Sequence, residues 1–215
     1  ATHVLMVGKV DKRKLLARLS LDWELISLTA ALATKGDASL MEHVITLLAQ
    51  EGLTVLSQAT ILEELFAQPG ILCGALTKEI DADIKLGLET ANHLSALDIG
   101  QTVVCKNGMI LAVEAIEGTD ECIARSISLG KEGVVITKTC HPRQDGRYDI
   151  PTLGPATLAA LPVGAVRAIA WHAQRTFILD QRRFIAIAQE KNIALIALPS
   201  DALQSRPKPS DSRQE

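Results

Sequence analysis

From residue 102 onward, short apolar runs alternate with helical segments, and that alternation narrows the fold more than any other feature of the chain. Thr102–Cys105 and Met109–Ala115 flank Asn107-Gly108, a dipeptide suited to the type I′ turn, so the spacing predicts a hairpin. Gly133–Thr137, Val166–Ala170, Thr176–Leu179 and Ile193–Leu198 read as further strands. Helices are predicted from near Thr119, over Pro155–Leu161 with proline at its first position, and over Gln181–Lys191. Strands separated by helices in this way are the pattern of an α/β fold.

The first half is richer in helix. Val4–Val7 and Leu53–Leu56 read as strands. Asp22 caps a predicted helix to Thr34, and Asp37 caps another over Ala38–Glu51. Ile61–Phe66 is a short predicted helix. Glu79–Leu97 carries Ile84, Leu88, Ala91 and Leu94 on one stripe, the mark of a longer one. The change of pattern near Asp98 suggests residues 1–97 as a helix-rich N-terminal domain and 98–200 as a C-terminal α/β domain. Residues 201–215 form a polar, proline-containing tail expected to be disordered.

Composition excludes several functions. The chain has 215 residues, 47% of them hydrophobic, enough for a sizeable core. A net charge of −3 argues against a polyanion binder. Aromatics at 3% leave no base-stacking platform, so no nucleic acid is expected as a partner. The cysteines, Cys73, Cys105, Cys122 and Cys140, form no CxxC pair and read as reduced and buried. Cys140 and His141 are adjacent, and neighbouring side chains point apart, which disfavours a nucleophile–base pair. No apolar run reaches the ~18–20 residues of a membrane span, and ATHVLMVGK has the wrong order for a signal peptide. A cytoplasmic protein is expected.

Candidate chemistry sits in four places. In HPRQDGRYDIPTLGP, residues 141–155, an extended backbone would put His141, Arg143, Asp145, Arg147 and Asp149 on one face, with Gly146 able to break the register by a bulge. Paired arginines suit phosphate oxygens, and a carboxylate beside them could hold Mg²⁺ or position water. In VEAIEGTDECIAR, residues 113–125, a strand passes through Gly118 into a helix start with Thr119 placed as N-cap. Glu117, Asp120 and Glu121 either complement the helix dipole or, with a divalent cation, cradle a phosphate. Asp98 in LDIGQ ends a helix against the dipole preference, which suggests another interaction holding it. Lys138 closes the strand before the first stretch.

Taken together, DIGQ (98–101), VEAxEGTD with Arg125 (113–125), Lys138 and QDxRxDIPTLGP (144–155) resemble one family. It is the UDP-2,3-diacylglucosamine pyrophosphatases of lipid A biosynthesis, the type unrelated to calcineurin-like metallophosphoesterases. The resemblance implies two α/β domains around a cleft and Mg²⁺-assisted hydrolysis to UMP and 2,3-diacylglucosamine 1-phosphate. Asp149 matches the family's essential aspartate. Substrate-binding candidates are Asp98, Gln101, Gly118, Thr119, Lys138, Gln144, Arg147, Thr152 and Gly154, and metal candidates are Asp149, Asp120 and Glu117. A diacyl substrate further implies peripheral contact with the inner membrane of a Gram-negative bacterium, an apolar groove from helices at 22–51 and 79–97, and a possible homodimer. The family's glycine-rich N-terminal segment is expected to be missing here. A nucleotide-lipid binding protein without turnover, and a scaffold without ligand, are the competing classes.

Overall fold

The computed structural model describes residues 1–8 and 41–199. Within them, β1 (His3–Val4) and β2 (Thr54–Val55) form a two-stranded parallel sheet. Helix α1 (residues 41–50) packs beside it, with Ile45, Val55, Met6, Met41 and Leu48 sharing a small core. Next come α2 (Gln58–Ile61), a 3-10 turn at Glu63–Leu65, β3 (Gly70–Cys73) and α3 (Lys78–Ala96). The hairpin β4 (Thr102–Lys106) and β5 (Met109–Val113) leads to α4 (Thr119–Gly130) and β6 (Val134–Lys138). The chain continues through β7 (Thr152–Leu153), α5 (Pro155–Ala159), β8 (Val166–His172), β9 (Phe177–Ile178), α6 (Gln181–Glu190) and β10 (Ala194–Leu198).

The main sheet is mixed and six-stranded, in the order β3-β10-β8-β6-β4-β5. Strands β6, β8 and β10 run parallel, while β3, β4 and β5 are antiparallel to their neighbours. The period-2 alternation is clean. Val134, Ile136, Ile169, Trp171, Leu195 and Ala197 face α4, α5 and α6 on one side. Val135, Ala168, Ala170, Ala194 and Ile196 face Ile80, Ile84 and Leu88 of α3 on the other. The hairpin turns as its sequence requires: Asn107 and Gly108 both take positive φ, 51° and 77°.

The α/β class stands, with several shifts. The sheet draws its unit from Gly70, not from residue 98, because β3 pairs with β10 and α3 covers the sheet. Strand β3 had no sequence signal, being only four residues between Pro69 and Gly74. The first strand is His3–Val4 instead of Val4–Val7, and the helix expected at Ile61–Phe66 is there only as the 3-10 turn Glu63–Leu65, preceded by α2, which starts at Ser57, whose hydroxyl accepts from Thr60 N–H. Residues 79–97 cannot line an acyl groove with their apolar stripe, since Ile84, Leu88 and Ala91 are spent on the sheet. The helix at 22–34, the Asp37 cap, most of the 22–51 groove and the 201–215 tail lie outside the described residues.

Buried polar groups tie the far end of this sheet together. Asp83, in the middle of α3, is fully buried and accepts from the backbone N–H of Asn107 (3.0 Å) and Gly108 (2.7 Å) and from Arg167 Nη2 (3.0 Å).

Candidate functional site

Parallel strands gather their following loops at one edge, where open α/β sheets hold ligands. Here that edge carries Lys138 at the end of β6, the start of β4 and α4, and the loop at 139–150.

One half of the site is a buried polar cluster. Lys138 Nζ donates to Thr102 Oγ1 (3.2 Å) and Thr119 Oγ1 (3.0 Å) and stands 4.0 Å from Glu114 Oε2. Thr119 Oγ1 donates to Glu114 Oε1 (2.9 Å), and Gln101 N–H donates to Glu114 Oε2 (3.3 Å). Burial works against an ionised Glu114, but the Lys138 charge and bonds from Thr102, Thr119 and Gln101 outweigh it and hold the carboxyl below its usual range. The helix start differs from expectation. Gly118, at φ 86°, is the N-cap and Thr119 is already helical, its hydroxyl turned to Glu114 and Lys138 instead of capping.

The other half is the loop at 141–150, which is a succession of turns and not an extended strand. The single-face reading of residues 141–149 therefore fails. Arg147 sends Nε and Nη2 back to Asp145 (3.0 and 2.7 Å), so this cation and carboxylate neutralise each other locally. The Arg147 bonds, working against partial burial, hold the Asp145 carboxyl below its usual range. Gln144 Nε2 donates to Tyr148 O (2.8 Å) and braces the turn. Gly146 presses on α2: its carbonyl accepts from Ala59 N–H (3.0 Å) and Ser57 Oγ (3.2 Å), and a Cβ there would come within 3.0 Å of Ser57 Oγ. The bulge expected at Gly146 is thus a close approach to the N-terminal part.

Tyr148 and Ile150 are buried and Asp149 between them is exposed, at φ 54°. Tyr148 packs in the small core with Ile45 and Val55. After Asp149, Thr152 and Leu153 pair with Phe177 and Ile178, Thr152 Oγ1 donates to Ile150 O (3.0 Å), and Gly154 caps α5. A cleft of about 100 Å³ lies between α2 and this loop, lined by Ala59, Phe66, Cys140, Gln144, Ile150 and Arg175 among others.

Tyr148→Ala should loosen this clamp. Losing a buried aromatic costs about 3 kcal/mol, a fall in Tm of roughly 6–12 °C at this size. Hydrogen exchange reads it locally: the Ala59 amide, bonded to Gly146, should lose protection, and an unchanged amide would refute the clamp.

Asp98 follows the α3 C-terminus at φ 55°, and its Oδ1 stands 3.9 Å from Nε2 of His141, beyond hydrogen-bond range. The metal candidates do not converge. Glu117 is bonded to Arg125 Nη2 (2.7 Å), Asp120 is exposed in the first turn of α4, and no group of three or more His, Cys, Asp or Glu suited to a metal occurs among the described residues. The cysteines are free and buried, and burial pushes Cys122 up to about 11 and Cys105 up to about 12, so both are thiols at neutral pH. Burial raises Cys140 as well, which removes the thiolate a Cys140–His141 pair would need.

Two further residues matter here. Glu114 stands inside the VEAxEGTD motif without a pattern that marks it out. Arg175 donates to the carbonyls of His141 (3.3 Å) and Pro142 (3.1 Å) and had no local signal at all.

Comparison with known proteins bears on the whole arrangement. The family model described as the LpxI C-terminal domain matches residues 68–196, and that of the LpxI N-terminal domain matches residues 1–65. The expectation that the N-terminal segment is missing is corrected to this extent: that domain is represented. A similar curated protein is the UDP-2,3-diacylglucosamine pyrophosphatase LpxI of Caulobacter vibrioides (strain ATCC 19089 / CIP 103742 / CB 15), 33% identical over 177 residues. That match takes in 77% of this chain, and the chain spans 62% of the relative's length.

Proposed function

The chain belongs to the LpxI family, and from that premise we propose that it hydrolyses the pyrophosphate of UDP-2,3-diacylglucosamine to UMP and 2,3-diacylglucosamine 1-phosphate. The observation that carries the reading is the segment after β6. There Asp149 is exposed between two buried neighbours, on a segment anchored to the N-terminal part through Gly146 and to β9 through Thr152 and Leu153. Such anchoring is what a reacting carboxylate needs, because small misplacements cost rate steeply.

Roles follow from the chemistry. Lys138 and the backbone N–H groups at the α4 N-terminus would receive phosphate oxygens, and Asp149 would hold or activate the attacking water. Mg²⁺ usually takes one or two carboxylates and completes its shell with waters and substrate phosphates. No group of three such ligands occurs among the described residues, so the exposed Asp149 is the carboxylate that would hold the ion beside a pyrophosphate. Bound there, the ion would stabilise charge on the leaving phosphate. The test is release of UMP from UDP-2,3-diacylglucosamine, abolished by chelator and restored by Mg²⁺. Retained binding without UMP would favour the non-catalytic alternative.

No helix among the described residues is long and apolar enough to cross a membrane. Cytoplasmic, peripheral contact with the inner leaflet of a Gram-negative cell, with or without dimerisation, accords with a substrate bearing two acyl chains. Sedimentation with anionic vesicles should be weak and weakened further by salt, and release by detergent alone would contradict peripheral contact.

A further inference from the structure

We propose that Glu114 is a positioning residue: from just beyond β5 it holds the Lys138 ammonium, by its charge and through the Thr119 hydroxyl, in the orientation that receives the pyrophosphate. The proposal rests on the pyrophosphatase reading and extends it to a side chain that itself touches no substrate.

The geometry is specific. The Glu114 side chain is only 14% exposed, and Lys138 only 7%. Two such groups are not solvated surface charges, and the Lys138 charge helps to hold the Glu114 carboxyl below its usual range. Thr119 has a single hydroxyl proton, and it goes to Glu114, so its oxygen lone pairs are left to accept from Lys138. At 4.0 Å, Glu114 and Lys138 attract without a direct hydrogen bond. Lys138 thus gives two of its three N–H donors to Thr102 and Thr119 and keeps the third for a phosphate oxygen. The same carboxylate accepts from Gln101 N–H, and the neighbouring Gly100 lies so close to the Glu114 backbone that a Cβ would fall 2.1 Å from its carbonyl oxygen. Motifs that are separate in the sequence, DIGQ, VEAxEGTD and Lys138, meet on this one side chain.

Removing only its charge gives the test. In E114Q, Lys138 is left nearly buried without a counter-charge. UMP release by the full chain should fall roughly 10–10²-fold in kcat/KM, with the larger part in KM because the ammonium that receives the phosphate is no longer held. E114D keeps the charge on a shorter arm; it should recover part of the KM, and it carries the test if the glutamine variant does not fold. A merely structural Glu114 would lower Tm and leave KM in place. Unaltered kcat/KM in E114Q, or a folded E114D with no better KM than E114Q, overturns the role of Glu114. No UMP release by the wild-type chain overturns the pyrophosphatase reading and this use of the cluster with it.

Discussion

Asp149→Asn is expected to lower UMP release by at least the ~10²–10⁴-fold typical of losing a positioned acid–base group, with no loss of fold. The variant is unusually clean for structural reasons. Asp149 is at φ 54°, a left-handed conformation that asparagine tolerates at least as well as aspartate, so the backbone has no reason to move. Its neighbours Tyr148 and Ile150 remain buried and keep the loop in place. Substrate binding should persist and even strengthen, because a carboxylate facing a pyrophosphate repels it in the ground state. The bland alternative, a surface ion pair with Arg147, would be worth only ~0–1 kcal/mol, and Arg147 already sends its guanidinium to Asp145. Activity and Tm measured on this one variant decide the matter: a near-normal rate would remove Asp149 from the chemistry.

Asp83→Ala is expected to be the most destabilising single change at the opposite end of the sheet. Its carboxylate, 1% exposed, serves the turn amides of Asn107 and Gly108 and the guanidinium of Arg167. Alanine leaves all three donors without this acceptor and adds a void beneath α3. Breaking a buried pair from one side costs about 3–5 kcal/mol, or roughly 6–20 °C in Tm at this chain length. Arg167→Ala should cost less, since Arg167 is 31% exposed and Asp83 would keep both turn amides. Thermal melts of the two variants test this ordering, and equal losses would show that the turn amides do not depend on Asp83.

Much of the fold was legible because its signals are local. Short apolar runs placed β4, β6, β8 and β10, Asn107-Gly108 placed the hairpin, and the stripe Ile84, Leu88, Ala91 placed α3. These patterns depend only on which face of a strand or helix meets a core, and neighbours along the chain carry that information. Motif residues were also legible as types: a lysine closing a strand, a glycine before a helix, an aspartate before Ile-Pro.

Tertiary structure alone decided what those residues do to one another. Alternating charges at 143–149 suggested a strand with one charged face, but the loop instead turns, because Tyr148 gains more in the core of Ile45 and Val55 than an extended edge would offer. The pairing of Arg147 with Asp145 follows from that turn. Thr119 looked like a cap, yet buried Lys138 and Glu114 compete more strongly for its hydroxyl than a helix end that Gly118 can begin. Strand β3 is too short to announce itself and exists because β10 offers it an edge. Asp83 reads on α3 as an ordinary helix-surface acid, and only the return of the hairpin and of Arg167 to the same point makes it a buried hub. In each case the deciding free energy belongs to a contact between residues far apart in the chain. The sequence determined the α/β layers and the inventory of charged side chains; which charges were buried together, and that position 149 lies exposed between two buried neighbours, depended on packing that no local pattern encodes.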